Sequence, residues 1–232
     1  MPTNQLLLLT GDELRGFAKS KVMIVLWVLM PAIALIGFLV LRHRAQLELG
    51  PGHWISAKQY MGFLESGIAG AIAAVMVAVE IVSDRSRNVY QLFVIRPIRP
   101  ESLLWAKFIA VSALVIIAAT ISMSIGFIFD VTEGRALDAD ELMQSGKAIL
   151  ATAQGVGLAC AGGVLFGVLA KDSVLIAVVL VLQIGQNFIF LPQIPAFFGV
   201  MQHQFWLWTA ITFVFLFAVM WIAGIAFRRS QF

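Results

Sequence analysis

The sequence has 232 residues, of which 60% are hydrophobic and only 12% are charged, and its formal net charge is +3. So few charged residues do not cover the surface of a soluble domain of this length. Basic and aromatic residues are not interleaved in a way that would suit nucleic acid, so we expect no nucleic-acid partner.

Apolar runs of about 20 residues recur along the chain, which is the length that a helix needs to cross a bilayer. These runs are continuous and do not alternate with polar residues, which favours helices over membrane strands. We predict an all-α polytopic membrane protein whose residues 1–232 form a single transmembrane domain. The six predicted spans cover residues 22–41, 62–82, 103–129, 148–170, 173–191 and 205–227.

The segment "NQLLLLTGDELRGFAKSK" precedes the first span. Thr10 and Glu13 have the spacing of a capping box, and Leu14 and Phe17 then fall on one apolar face. We predict an amphipathic helix in the membrane interface, with a frayed amphipathic tail as the alternative.

The loop that follows the second span is unusually basic, because Ser83 to Phe108 holds five of the chain's 16 Lys and Arg residues. Val89, Leu92 and Phe93 recur at helical spacing, and Pro97 stops a helix shortly afterwards. We predict a short amphipathic helix, a proline corner and a return into the membrane. On the residues alone, an ordinary positive anchor for topology remains the alternative.

Two charged residues at the edges of this loop carry their own expectations. Asp84 is expected to brace the loop by pairing with Arg85 or Arg87. Lys107 lies near the start of the third span, where a lysine is expected to extend its ammonium group to the lipid headgroups.

The fourth span contains small residues at every fourth position, namely Gly155, Ala159, Gly163 and Gly167. Such a stripe lets a second helix approach closely, either within the chain or between two subunits. The acidic run from Asp138 to Glu141 is expected to begin this helix, because carboxylates favour helix N-termini.

Polar groups inside the spans are candidates for a transport pathway. Gln183, Gln186 and Asn187 have i, i+3, i+4 spacing in the fifth span, so we expect them on one face. That face lines a pathway or makes hydrogen bonds between helices. Glu65 in the second span is expected to line an outer vestibule or to lie at the membrane interface.

The distribution of cations predicts the orientation. With the N-terminus inside, the cytoplasmic segments hold eleven Lys and Arg residues and the outer loops hold five. Both termini are therefore expected on the cytoplasmic side of the membrane.

The basic loop resembles the signature region of the type 2 ABC transporter permeases. Asp84 takes the position of the family's acidic residue and Leu92 that of its leucine-rich turn, while Pro97, Arg99 and Lys107 follow at the family's spacing. The sequence departs from the family pattern at Asn88-Val89, where the family has Gly-Thr, and at Ala106, where it has glycine. The interfacial helix, the six spans and the Arg-Arg tail also resemble this family.

The resemblance implies the membrane subunit of an ATP-driven exporter in the cytoplasmic (inner) membrane. Its basic loop is then a coupling helix that inserts into a separate ATP-binding cassette subunit. Two such subunits and a second permease subunit are implied, with ATP and magnesium bound on the ATPase. The proline-rich segment "LPQIPAFFG" resembles the outer re-entrant hairpin of these permeases. The residues implied to couple to the ATPase are Asp84, Arg85, Arg87, Val89, Leu92, Phe93, Arg96, Pro97 and Arg99.

The sequence contains no phosphate-binding loop of the form G-x-x-x-x-G-K-[ST], so we expect the ATPase activity on another polypeptide. We predict no catalytic, cofactor-binding or metal-binding residues in this chain. Two other functions stay open, a membrane scaffold that never transports and an intramembrane enzyme. The enzyme is the less favoured of the two, because the catalytic motifs H-E-x-x-H and G-x-S-x-G are missing. Nothing in the sequence chooses a substrate.

Overall fold

The computed structural model describes residues 2–49, 57–87, 100–132, 138–171, 173–185 and 204–230. These residues are helical with no strand among them, as the composition predicts. The helices are α1 Pro2–Ala18, α2 Lys21–Leu49, α3 Ala57–Ser86, α4 Pro100–Thr132, α5 Ala139–Leu169, α6 Val174–Leu180 and α7 Phe205–Ser230. A π-helical turn, Val181–Gly185, continues α6.

Five of these helices, α2, α3, α4, α5 and α7, are long and apolar enough to cross a membrane. They correspond to five of the six predicted spans, so the chain is an integral membrane protein of several helices. The predicted fifth span is represented by the shorter apolar stretch Val174–Ile184. Its remainder and the segment "LPQIPAFFG" lie outside the described residues.

Helix α1 begins earlier than the predicted capping box. It starts at Pro2, and the Thr10 hydroxyl donates to the carbonyl oxygen of Leu6 at 2.8 Å, so Thr10 lies inside the helix. The capping interpretation of Thr10 and Glu13 is therefore wrong. Phe17 is buried and Leu14 packs beside it against the core, as the apolar face predicts.

The acidic run at 138–141 does begin a helix. Asp138 occupies the N-cap position of α5 with an extended backbone, and Asp138 and Asp140 are both exposed. Within the described ranges, no group of three His, Cys, Asp or Glu side chains has an arrangement that would hold a metal ion. The acidic run therefore begins α5, as predicted.

The stripe of small residues in α5 packs against α3 of the same chain. A Cβ atom built on Gly163 would lie 2.3 Å from the carbonyl oxygen of Ala74, and one on Gly167 would lie 3.0 Å from the Cα atom of Ala78. Ala159 is buried in the same contact. Of the two interpretations of the stripe, the structure supports packing within the chain.

We predict that Gly163→Ala destabilises the protein, because the added methyl group would collide with the backbone of α3. Overpacking of this kind costs about 1–3 kcal/mol. Gly146→Ala in the same helix is the matched control, since a Cβ atom there meets nothing within 4 Å. Thermal unfolding in detergent should show a lower melting temperature for Gly163→Ala only. Equal melting temperatures would contradict the close contact between α3 and α5.

Candidate functional site

The basic loop is flanked by the C-terminal end of α3 and the N-terminal end of α4. Residues 88–99 between them lie outside the described residues, and so do the predicted coupling residues Val89, Leu92, Phe93, Arg96, Pro97 and Arg99. Asp84, Arg85 and Arg87 belong to the described part. What the structure shows is therefore how the two helices that carry the loop are joined.

Lys107 joins them through a cluster of four charged residues. Its ammonium nitrogen lies 3.0 Å from Glu13, 3.0 Å from Glu80 and 2.9 Å from Asp84. Glu80 and Asp84 are one turn apart on α3 and so share a face. Glu13 comes from α1 and Lys107 from α4. We call these four residues the Lys107 cluster; it ties α1 and α3 to α4.

The ratio of three carboxylates to one ammonium group in the Lys107 cluster matches the hydrogen-bonding capacity of lysine. An ammonium group has three N–H donors and no acceptor, and the three carboxylates supply one acceptor for each donor. The Lys107 side chain is only 3% exposed, so an unmade hydrogen bond there would be costly. With all four groups ionised, the cluster carries a net charge of −2.

The three acidic side chains are less buried than the lysine. Glu13, Glu80 and Asp84 are 21%, 30% and 24% exposed, against 3% for Lys107. One oxygen, Glu80 Oε2, is buried and has no hydrogen-bond partner among the described residues. The lysine is thus the buried centre of the cluster, and the acidic side chains form its partly exposed shell.

The structure bears on two sequence predictions in this region, one for Lys107 and one for Asp84. Lys107 is buried and paired, so the prediction that it extends to the lipid headgroups is wrong. Asp84 pairs with Lys107 on α4, a partner that the expected contact with Arg85 or Arg87 did not include. Acidic residues four apart inside an otherwise apolar span were the available signal, because charges there require a partner.

Other polar contacts lie at the same end of the bundle, which we call the basal end. Arg85 donates from Nη1 to the backbone carbonyl oxygen of Val168 at 3.4 Å, which joins the ends of α3 and α5. Glu101 at the start of α4 forms an ion pair with Arg228 near the end of α7. Arg87 is exposed.

Two of the candidate pathway residues, Glu65 and Gln183, belong to the described part of the chain. Glu65 lies fifteen residues before Glu80 in α3, which is about 22 Å along a helix axis. Gln183 is exposed and lies in the π-helical turn, where the α-helical spacing used to align it with Gln186 and Asn187 does not apply. Gln186 and Asn187 are outside the described residues, so their common face stays a prediction.

One intramembrane amide, Gln154 in α5, was not predicted from the sequence as a functional residue. It is 4% exposed, and its Nε2 atom donates to the backbone carbonyl oxygen of Thr209 in α7 at 3.3 Å. Gln154 also lines a groove of about 280 Å³ between α4, α5 and α7. A lone amide within an apolar span was a sufficient signal, because such groups are costly in lipid.

The family model described as ABC-2 family transporter protein matches residues 16–185. The match covers most of the chain, including Glu80, Asp84 and Lys107, and the chain belongs to this family. No curated protein matches the sequence. The protein is accordingly a membrane component of an ABC-type transporter, a class that implies an ATP-binding cassette partner subunit.

We predict that Lys107→Met destabilises the protein, because it leaves three carboxylates close together without their cation. Removing one partner of a buried ion pair costs about 3–5 kcal/mol, and the partial exposure of the acidic side chains favours the lower end of that range. Lys19→Met is the matched control, since Lys19 is an exposed lysine between α1 and α2. The measurement is thermal unfolding in detergent.

Adding Glu13→Gln, Glu80→Gln and Asp84→Asn to Lys107→Met should recover much of the lost stability, because no unpaired charge then remains. If Lys107→Met melts at the same temperature as Lys19→Met, the Lys107 cluster does not hold the three helices together.

Proposed function

We propose that the chain is the permease subunit of an ABC-type exporter, coupled to ATP hydrolysis on a separate nucleotide-binding subunit. ATP and magnesium are bound by that partner. Two ATPase subunits and a second permease subunit, identical or related, complete the transporter. The observation that carries the proposal is the Lys107 cluster, which joins both helices that flank residues 88–99.

A coupling loop must pass its displacement to the transmembrane helices. Lys107 contacts α3 at two carboxylates, so α3 and α4 are expected to move together when the segment between them is pushed. The contact with Glu13 extends the same unit to α1. Because α3 in turn packs closely on α5, a displacement at the basal end reaches the centre of the bundle.

The segment 88–99 supplies groups suited to docking on a protein. Val89, Leu92 and Phe93 are apolar anchors at helical spacing, and buried anchors carry most of the binding energy of an interface. Arg96 and Arg99, with Arg85 and Arg87 beside them, supply charge that steers association and sets its salt dependence. Glu65, Gln183, Gln186 and Asn187 remain candidates for contact with the substrate.

The orientation proposed with this function places both termini and the basal end in the cytoplasm. Single cysteines at Ser20, Ser86 and Ser230 should react with a membrane-impermeant maleimide only from the cytoplasmic side, and one at Ala139 only from outside. The native Cys160 is buried and should give little background. Labelling of Ser86→Cys from outside would overturn this orientation.

The coupling role is tested with the double variant Leu92→Ala, Phe93→Ala, which keeps all five cations of the loop. Burial of such side chains is worth roughly 1.5–3 kcal/mol each, so we expect ATPase affinity to fall by two to four orders of magnitude at most. The measurements are co-purification of the ATPase and stimulation of its turnover by the permease.

The matched control is Leu7→Ala, Leu8→Ala, which removes two apolar side chains that are 70% and 71% exposed on α1. If the loop variant still binds and stimulates the ATPase, the loop serves topology alone. Binding without any stimulation by the wild-type protein would favour a membrane scaffold over a transporter.

A further inference from the structure

Two cavities that share the Trp105 side chain in their walls lie between α4 and α7. The upper one is the groove of about 280 Å³ between α4, α5 and α7. The lower one, of about 50 Å³, is lined by Glu101, Trp221 and Gly224 among others and opens at the basal end. Trp105 lines both cavities. Together they form a track from the charged basal end toward the middle of the bundle.

The upper groove is built for hydrocarbon. Four aromatic side chains line it, Trp105, Phe108, Phe213 and Phe217, and none of the described residues in its wall is charged. The Ser112 and Gln154 side chains that line it each donate a hydrogen bond within the protein. The Ser112 hydroxyl donates to the carbonyl oxygen of Phe108 at 2.6 Å, and the Gln154 amide donates to Thr209. A charged occupant would therefore find no counter-charge there.

The size of the groove limits what it can hold. A cavity of about 150 Å³ lined by apolar side chains accepts a benzene molecule, and drug-sized sites begin near 300 Å³. At about 280 Å³, the groove suits a flexible chain better than a bulky ring system.

The lower end of the track carries positive charge. Arg228 pairs with Glu101 yet keeps 63% of its side chain exposed, and Arg229 beside it is also exposed. With one glutamate and two arginines, these three residues carry a net charge of +1. Trp105 and Trp221 flank this end, and tryptophan is enriched at the level of the lipid headgroups.

We propose that the track between α4 and α7 is a binding site for one anionic phospholipid. Its acyl chain occupies the aromatic groove, and its phosphate lies beside Arg228 and Arg229. The effect of this lipid on coupling rests on the proposed function, because α4 carries Lys107 on one side and the groove residues Trp105 and Phe108 on another. An acyl chain bound in the groove supports α4 from the side away from the Lys107 cluster.

The site is tested by fluorescence quenching in vesicles that contain the whole permease without an ATPase. The probes are phosphatidylglycerol and phosphatidylcholine with brominated acyl chains, which quench nearby tryptophans. The difference between the wild-type protein and Trp105→Phe isolates the signal of Trp105. One uncompensated arginine near an anionic headgroup predicts a preference of about fivefold for phosphatidylglycerol. Quenching should also saturate at a low fraction of brominated lipid.

Ala153→Phe places a ring in the groove and should abolish the preference, whereas Ala32→Phe on the exposed face of α2 should leave it unchanged. Quenching of Trp105 in simple proportion to the bulk brominated fraction, with either headgroup, would overturn the proposal. An absence of Trp105 quenching in a dimeric preparation would also overturn the proposal, because a second copy of the chain would then cover the groove. Neither result depends on ATPase coupling, so the permease function stands or falls separately.

Discussion

A lysine ammonium group that is withdrawn from water must have a partner for each of its three N–H donors. Lys107 meets this requirement with three carboxylates at 2.9–3.0 Å, and these come from two different helices. Because the donors point in different directions, the acceptors must surround the nitrogen and cannot all come from one helix face. The relative positions of α1, α3 and α4 at the basal end follow from that geometry. The hydrophobic effect itself has no direction, so a hydrophobic contact would orient the same helices only through the shapes of the packed side chains.

Farther from the basal end than the Lys107 cluster, the helices are held together by a different kind of contact. The α3–α5 contact depends on the lack of side chains at Gly163 and Gly167, which lets the two backbones approach. The α4–α7 pair shows the opposite arrangement, because aromatic side chains hold these helices apart and leave a groove. The bundle therefore combines a close-packed side with a side that has space for a ligand.

Long apolar runs and the small-residue stripe were predictable from sequence, because each depends on residues that are near one another in the chain. The Lys107 cluster was not, because its members at positions 13, 80, 84 and 107 are distant in sequence. A lysine near the end of a span usually reaches the headgroups, and only the positions of α1 and α3 show that Lys107 does not.

The capping prediction for Thr10 was wrong for a local reason. The preceding leucines are good helix formers, and they extend α1 back to Pro2. Gln183 lies in a π-helical turn, which changes the angular step between residues, so the common face with Gln186 and Asn187 stays a prediction.

Helix α3 is where the two kinds of contact meet, and its geometry limits how it can move. Ala74 and Ala78 contact α5, whereas Glu80 and Asp84 contact Lys107. At 100° per residue, a separation of six residues places these two pairs about 120° apart around the helix axis. Rotation of α3 about its own axis would therefore break the backbone contact and the ion pairs at the same time. Movement that keeps both contacts must be a tilt or a translation in which α4 and α5 accompany α3. A push on the segment that joins α3 to α4 is then expected to move three spans as one unit.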